Sequence, residues 1–317
     1  MFAITLDSDA RALQLQQVEK PVVSAGQVLI RVAFAGVNRA DLLQVEGRYP
    51  APVSGILGLE VAGVIEACGD GVTTYAAGDV VCALLEEGGY AEYALADARL
   101  CLPVPPSLPL QHAAALPEAL ATSWMALHSL GALQQGETAL IHGGASGVGS
   151  IAIQLAKWMD VRVITTASND AKAAYCNSMG AEVLDATPAA ITAWSETHKA
   201  DIVLDMIGGD MIAANIKALR YGGRLVSIAC MDSANVSFSM AGLLMKNLRW
   251  QGMTLRSQPT EVKARLFAEV RTHCWDAVAA GHIIPRIDRI YALEDAVKAH
   301  AYMRARKHIG KLVLQTA

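Results

Sequence analysis

Along the first hundred residues the apolar positions gather in short Val/Ile/Ala-rich runs, QVLIRVAFAG, AGVIEAC and DVVCALL, separated by Gly, Asp and Pro. Runs of this length, bounded by turn-forming residues, predict strands, and several in succession predict a β-rich, barrel-like unit. Pro103, Pro105, Pro106 and Pro109 then mark a stiff connector. The Ala/Leu-rich stretch QHAAALPEALATSWMALHSL after it reads as helical.

From about residue 137 the rhythm changes. TALIHGG leads into GSIAIQLAKWM, VRVITTAS into DAKAAYCNSMG, EVLDA into PAAITAWSETH, and DIVLDMIGG into DMIAANIKALR before RLVSIAC. Apolar strands alternating with helical patterns predict βαβ units and a parallel sheet. Beyond about residue 260, TEVKARLFAEVRTHCWDAV reads as a helix, IIPRIDRIY as a strand, and KLVLQ follows a further helix.

The segment His142-Gly143-Gly144-Ala145-Ser146-Gly147-Val148-Gly149-Ser150 lies where a strand gives way to a helix. Glycines there let the backbone approach a pyrophosphate, and the free N–H groups and dipole of the helix start favour an anion. A lone glycine motif is weak evidence; a strand before it, a helix behind it and further β–α alternations after it are the context that supports it. The next strand ends Thr165-Thr166-Ala167-Ser168-Asn169, with Lys172 one turn on and no carboxylate at the strand end. Asp170 reads as a cap of the following helix. An acidic residue at that place would bond the ribose of NAD, whereas small and basic residues admit the 2′-phosphate of NADP, so NADPH is the expected cofactor.

Composition narrows the alternatives. The chain has 317 residues, 53% hydrophobic and 18% charged, which is globular and long enough for two domains. A formal net charge of −4 argues against a broad basic face, so no nucleic-acid partner is expected. No apolar run is long enough to span a membrane, and MFAITLDSDARAL does not resemble a signal peptide, so the expected location is the cytoplasm. The six cysteines, with no CxxC among them, read as free thiols. No HExxH or comparable histidine pair occurs, and no metal is expected.

A set of motifs runs nearly from end to end: GVNRADLLQVEGRYPAP, ILGLEVAGVIEACGDGV, GGYAEY, PEALATSW, GETALIHGGASGVGSIAIQLAK, LDMIGG, TLRS, IDRIY and HIGKLVL. In these the chain resembles the zinc-independent quinone oxidoreductases, the zeta-crystallin-like branch of the medium-chain dehydrogenase/reductase superfamily. Within that branch it resembles the tumour-suppressor-inducible quinone oxidoreductase group. Ser146 stands where that signature usually has glycine. The resemblance implies an α/β protein with a GroES-like β-barrel catalytic domain, residues 1–120 and 259–317, and a doubly wound Rossmann domain, residues 121–258. It also implies a homodimer through the Rossmann edge strand near Leu248–Arg256.

The resemblance assigns residues as well. Zinc members of the superfamily hold their metal with a cysteine, here Asn38, and with a Gly-His-Glu motif, here Gly58-Leu59-Glu60. On the cofactor side it implies Thr122, Gly144, Gly147, Val148, Gly149, Cys230, Leu255, Arg256 and Lys311, beside Ser168, Asn169 and Lys172. The tyrosine that contacts the 2′-phosphate in many relatives is Thr187 here, and a second pocket tyrosine is Leu43.

Hydride transfer from NADPH to a quinone needs binding, orientation and stabilisation of the oxyanion that results. Asn38 offers an amide N–H and Tyr49 a hydroxyl. Asp41 reads as orienting Arg39 or a pocket water, or as a helix cap. The leading expectation is an NADPH-dependent quinone reductase. An enone or enoyl-thioester reductase is a second reading, with Tyr49 as the proton donor. A third is a cofactor-binding protein without turnover, acting as sensor, structural protein or RNA binder.

Overall fold

The computed structural model describes residues 1–7 and 9–316. The chain forms two compact units, Met1–Glu118 with Pro259–Ala317, and Ala119–Gln258. In chain order it begins with an antiparallel hairpin, β1 (Phe2–Asp7) and β2 (Ala12–Gln17). The QVLIRVAFAGV run is β3 (Gln27–Val37), and one residue later α1 (Arg39–Val45) starts. Then come β4 (Glu60–Cys68), β5 (Val80–Leu84), β6 (Tyr93–Asp97), β7 (Cys101–Pro103) and the single-turn α2 (Leu110–Ala113). The Ala-rich segment makes α3 (Pro117–Trp124), which runs on as a π-helical turn over Met125–Leu130.

The predicted alternation follows as β8 (Thr138–Ile141), α4 (Gly147–Trp158), β9 (Arg162–Ala167), α5 (Asp170–Ser178), β10 (Glu182–Asp185) and α6 (Pro188–Thr197). It continues with β11 (Ala200–Asp205), α7 (Met211–Ala218), β12 (Leu219–Ser227), α8 (Met240–Met245) and β13 (Arg249–Gly252). The chain closes with α9 (Thr260–His273), α10 (Trp275–Ala279), β14 (Ile287–Ala292), α11 (Ala296–Arg304) and β15 (Lys311–Gln315).

In the first unit the sheet runs β14-β15-β3-β4-β5-β7, with β6 added to β3. β3 is long enough to pair twice on one side: its first residues meet β6 and its last meet β15, while β4 lies along the other side. Register shifts between β3 and β4 bend the sheet at that point. Ile30, Val32, Val61, Ile65, Leu312 and Leu314 fill the core beneath it. The pairing of β15 with β3 brings Lys311 and Leu312, at the start of β15, beside Asn38 and Val37.

The second unit is a six-stranded, all-parallel sheet in the order β10-β9-β8-β11-β12-β13. Leu140, Ile164, Val203 and Leu225, one from each of four strands, belong to its core. The strand order reverses between β8 and β11, where doubly wound sheets bind nucleotides at the carboxyl ends of their strands. The glycine segment leaves β8 at that end.

One predicted element divides. TEVKARLFAEVRTHCWDAV forms two helices, α9 and α10, because fully buried Cys274 adopts φ −117° and turns the chain. The turn delivers Trp275 Nε1 to the Pro103 carbonyl at 2.9 Å. The six cysteines are free, with Cys230 the one that is exposed. Among the described residues no helix is long and apolar enough to cross a membrane.

Candidate functional site

The glycine segment is shaped by close approach. Gly143 takes φ +62°, a left-handed conformation that favours glycine, and its N–H donates to Thr166 Oγ1 at 3.0 Å. A Cβ on Gly144 would collide with Thr165 Oγ1, and one on Gly149 with the Gly143 carbonyl. Ser146 is the N-cap of α4, its Oγ accepting the Gly149 N–H at 3.0 Å. Gly147 and Val148 come too early in α4 to find intrahelical acceptors, so their N–H groups suit an anion. This cradle, on a twelve-residue helix, fits a dinucleotide pyrophosphate.

Two supports were not expected from the sequence. Ser123 Oγ lies 2.7 Å from the Ala119 carbonyl and 3.3 Å from that of Val148, tying α3 to the start of α4. His142, fully buried, places Nδ1 3.2 Å from Thr166 Oγ1 and Nε2 2.7 Å from Asn215 Oδ1. Since Asn215 Oδ1 only accepts, Nε2 carries the ring proton and donates to it, and Nδ1 of the neutral ring accepts the Thr166 hydroxyl. Burial lowers the imidazole pKa, which keeps this neutral tautomer in place.

The 2′-phosphate candidates lie together at the end of β9. Ser168 and Asn169 are exposed, and Lys172 is half-buried one turn on. Asn169 Oδ1 accepts the Lys172 N–H at 3.0 Å and so caps α5. Asp170 is the first residue of α5, and Thr187 caps α6 through the Ala190 N–H. Cys230 follows β12 and packs against Gly208, where a Cβ would lie 3.4 Å from it. Of the remaining assignments in this unit, Thr122 and Leu255 are buried and Arg256 is half-buried.

The first unit holds a second polar centre. Asn38 Nδ2 donates to Glu60 Oε1 at 2.9 Å, and Lys311 Nζ donates to Asn38 Oδ1 at 2.5 Å, Glu60 Oε1 at 2.6 Å and the Val37 carbonyl at 3.2 Å. Glu60 Oε2 accepts the Glu118 N–H at 2.9 Å. Glu60 is fully buried, Lys311 3% exposed and Asn38 8%. Gly36 makes room, because a Cβ there would collide with Glu60 Oε1 and the Ala114 carbonyl. Lys311, expected at the cofactor, thus spends its three N–H donors within this centre.

Asp41 is fully buried, and its Oδ2 accepts both the Asn38 N–H at 2.7 Å and the Tyr90 hydroxyl at 3.0 Å. The capping role is the one these bonds show, with Asp41 as the third helical residue of a capping box with Asn38. Tyr90 Oη also lies 3.1 Å from His300 Nε2. Desolvation pushes the Asp41 carboxyl up to about 6 and the His300 imidazole down to about 4. Tyr90 was legible only as part of GGYAEY, and His300 carried no signal. Tyr49 follows α1, half-buried, its N–H on the Leu43 carbonyl at 3.1 Å.

Known proteins share this architecture. A family model described as "Alcohol dehydrogenase GroES-like domain" matches residues 24–106, and one described as "Zinc-binding dehydrogenase" matches residues 147–270. A polyketide synthase of Streptomyces halstedii is 35% identical over 290 residues, 91% of this chain. The chain spans only 5% of the length of that synthase. Quinone oxidoreductase-like protein 2 of Bos taurus is 28% identical over 96% of this chain and 89% of its own. A mycobacterial protein solved in complex with NADPH is 27% identical, with a TM-score of 0.87 over 99% of this chain and 100% of the other.

With its GroES-like unit and six-stranded parallel Rossmann sheet, the chain belongs to the medium-chain dehydrogenase/reductase superfamily of NAD(P)-binding oxidoreductases. Its residues do not fit the zinc that one model's description carries. Zinc takes a tetrahedral set of thiolate, imidazole or carboxylate ligands. Asn38 offers a neutral amide, Leu59 offers no donor, and Glu60 already faces an ammonium. Among the described residues no group of three or more His, Cys, Asp or Glu side chains is placed to hold a metal ion.

Proposed function

We propose that this protein is an NADPH-dependent reductase of quinones. The observation that carries the cofactor choice is the end of β9, where Ser168, Asn169 and Lys172 stand and no carboxylate ends the strand. A free 2′-phosphate meets hydroxyl, amide and ammonium there, and the nearest carboxylate in the chain, Asp170, belongs to the first turn of α5 and not to the strand end. When bound, NADPH supplies a hydride to the acceptor. The chain's own residues orient and stabilise. Gly147 and Val148 N–H groups take the pyrophosphate, and Asn38 uses one Nδ2–H on Glu60 and keeps the other for the oxyanion left on the reduced quinone. A quinone is electrophilic enough to need no stronger acid.

The test is NADPH and NADH oxidation, side by side, with 1,4-benzoquinone as acceptor. Turnover with a lower KM for NADPH supports the reading, and Lys172→Ala then raises the NADPH KM roughly tenfold while leaving that for NADH. Equal KM values for the two cofactors, or no quinone turnover, would overturn it.

The likeness to a polyketide synthase segment favours a second reading, reduction of an enone or enoyl thioester. Tyr49 then gives the proton to the α-carbon. Tyr49→Phe strongly lowers enone turnover in that case and leaves quinone turnover unchanged; survival of both removes Tyr49 as donor.

A homodimer through the Rossmann sheet edge belongs to the same proposal. β13 is the terminal strand, and Tyr221, Leu244 and Met245 near it are 68%, 70% and 80% exposed. Light scattering of the wild type and of Leu244→Glu distinguishes dimer from monomer.

A further inference from the structure

We infer that Lys311 is a positioning residue for the reduction, an ammonium built into the site that acts through the Asn38 amide. The inference rests on the reading that Asn38 faces the oxyanion. A lysine only donates and a carboxylate only accepts, so Lys311 must face Oδ1 and Glu60 must face Nδ2. The amide therefore has one orientation, with no flipped alternative. An ammonium 2.5 Å from Oδ1 draws electron density from the amide and strengthens what Nδ2 can donate. One Nδ2 proton goes to Glu60, and the second remains for a ligand. The Glu118 N–H on the other Glu60 oxygen keeps the carboxylate from swinging away.

Two further facts direct the ammonium to this task. Its third bond goes to the Val37 carbonyl, so no N–H remains for a cofactor phosphate. The centre is buried, so solvent screens the ammonium little, and the charge that offsets it is Glu60, on the Nδ2 side of the amide, while the ammonium itself sits on the Oδ1 side. A plain ion pair binding β15 to β3 and β4 would need only the direct Lys311–Glu60 contact at 2.6 Å, not an amide bonded to both partners. It is the amide, bonded to both charges, that connects the pair to chemistry.

The experiment compares wild type, Asn38→Ala, Lys311→Met/Glu60→Gln, and the triple variant. The double variant removes the charge without leaving Glu60 ionised and alone. Two readouts are taken: kcat with NADPH and 1,4-benzoquinone, and the absorbance titration of 4-nitrophenol on protein loaded with NADP⁺. 4-Nitrophenolate mimics the oxyanion of the reduced quinone. Wild type should lower the bound phenol's pKa by at least about one unit, a tenfold preference for phenolate. The double variant should melt near wild type, lose that shift, and drop kcat roughly 10- to 100-fold. Asn38→Ala added to it should change neither readout further.

A double variant with wild-type kcat and an intact phenol shift makes the pair merely structural and overturns the inference. So does additivity between Asn38→Ala and the double variant, or a wild type that shifts the phenol not at all. If wild type shifts the phenol through Asn38 and Lys311 but reduces no quinone, the positioning role stands and the quinone reading falls.

Discussion

The two units each carry a polar centre, and they are built in opposite ways. In the Rossmann unit the anion cradle is backbone, drawn from the contiguous residues His142–Ser150 and held by glycines whose Cβ atoms would strike their neighbours. In the GroES-like unit the centre is side chain, and its members converge from Asn38, Glu60 and Lys311, up to 273 residues apart. A backbone site makes a local conformational demand, and only certain residues meet it, so it leaves a mark in the sequence. A side-chain site makes its demand through the fold, and each member looks ordinary where it stands.

That difference explains what was legible. The alternation of strands and helices from β8 to β12 gave the parallel sheet, because buried parallel strands read as apolar runs. The β1–β2 hairpin was missed, since ALQLQQ is polar and half-exposed and shows no core-facing pattern. Lys311 was read toward the cofactor, because a lysine in HIGKLVL gives no hint that β15 pairs with β3 and lays it against Asn38. Asp41 was left open between two roles; the Asn38 N–H on its Oδ2 shows the cap. Ser123 supports the cradle from α3, outside the glycine motif, and His142, inside it, does so through Thr166 on β9 and Asn215 on α7, which the motif does not include.

If the side-chain centre depends on matched charges, breaking one should cost the most. Lys311→Met alone leaves Glu60 buried and unpaired, and stability should fall by about 3–5 kcal/mol. Glu60→Gln in the same chain should recover most of the loss. Denaturant midpoints of the single and double variants measure both. A single variant as stable as the double would mean that the folded protein does not rely on Lys311 to balance Glu60.

The neighbouring trio, Asp41, Tyr90 and His300, sharpens the point through pH. Burial raises Asp41 from 3.8 to about 6, so its contribution to stability is full below 3.8 and is lost as pH rises through 6. Burial lowers His300 from 6.5 to about 4, so its contribution is full above 6.5 and is lost as pH falls through 4. Each amounts to roughly 3 kcal/mol, with opposite sign over the same window. Against wild type, Asp41→Asn should gain stability as pH rises from 4 to 6.5, and His300→Gln should lose it. Parallel pH profiles for the three proteins would show that neither group titrates in that window.

The backbone centre should break differently, by collision. Gly149→Ala drives a Cβ into the Gly143 carbonyl and against Ser146 Oγ. About 1–3 kcal/mol of stability should go, and NADPH affinity with it. Calorimetric titration of NADPH beside a melting curve separates the two effects. Unchanged affinity would mean that the cofactor does not rely on this turn.

Ser146 gives the finest test, since it is the one side chain within the cradle that caps α4. Its Oγ satisfies the Gly149 N–H, an orphan donor of the first turn. Ser146→Ala removes that bond and should cost about 1 kcal/mol, whereas Ser146→Gly should cost only a few tenths. The ordering matters more than the size. Glycine loses the same hydroxyl, but it leaves the N-terminal amides open to water and to the pyrophosphate, and it is the residue usual at this place in the signature. If the cradle is a backbone device, Ser146→Gly should bind NADPH as wild type does and melt above Ser146→Ala. If the two variants lose affinity equally, the hydroxyl itself meets the cofactor, and this centre, too, depends on a side chain.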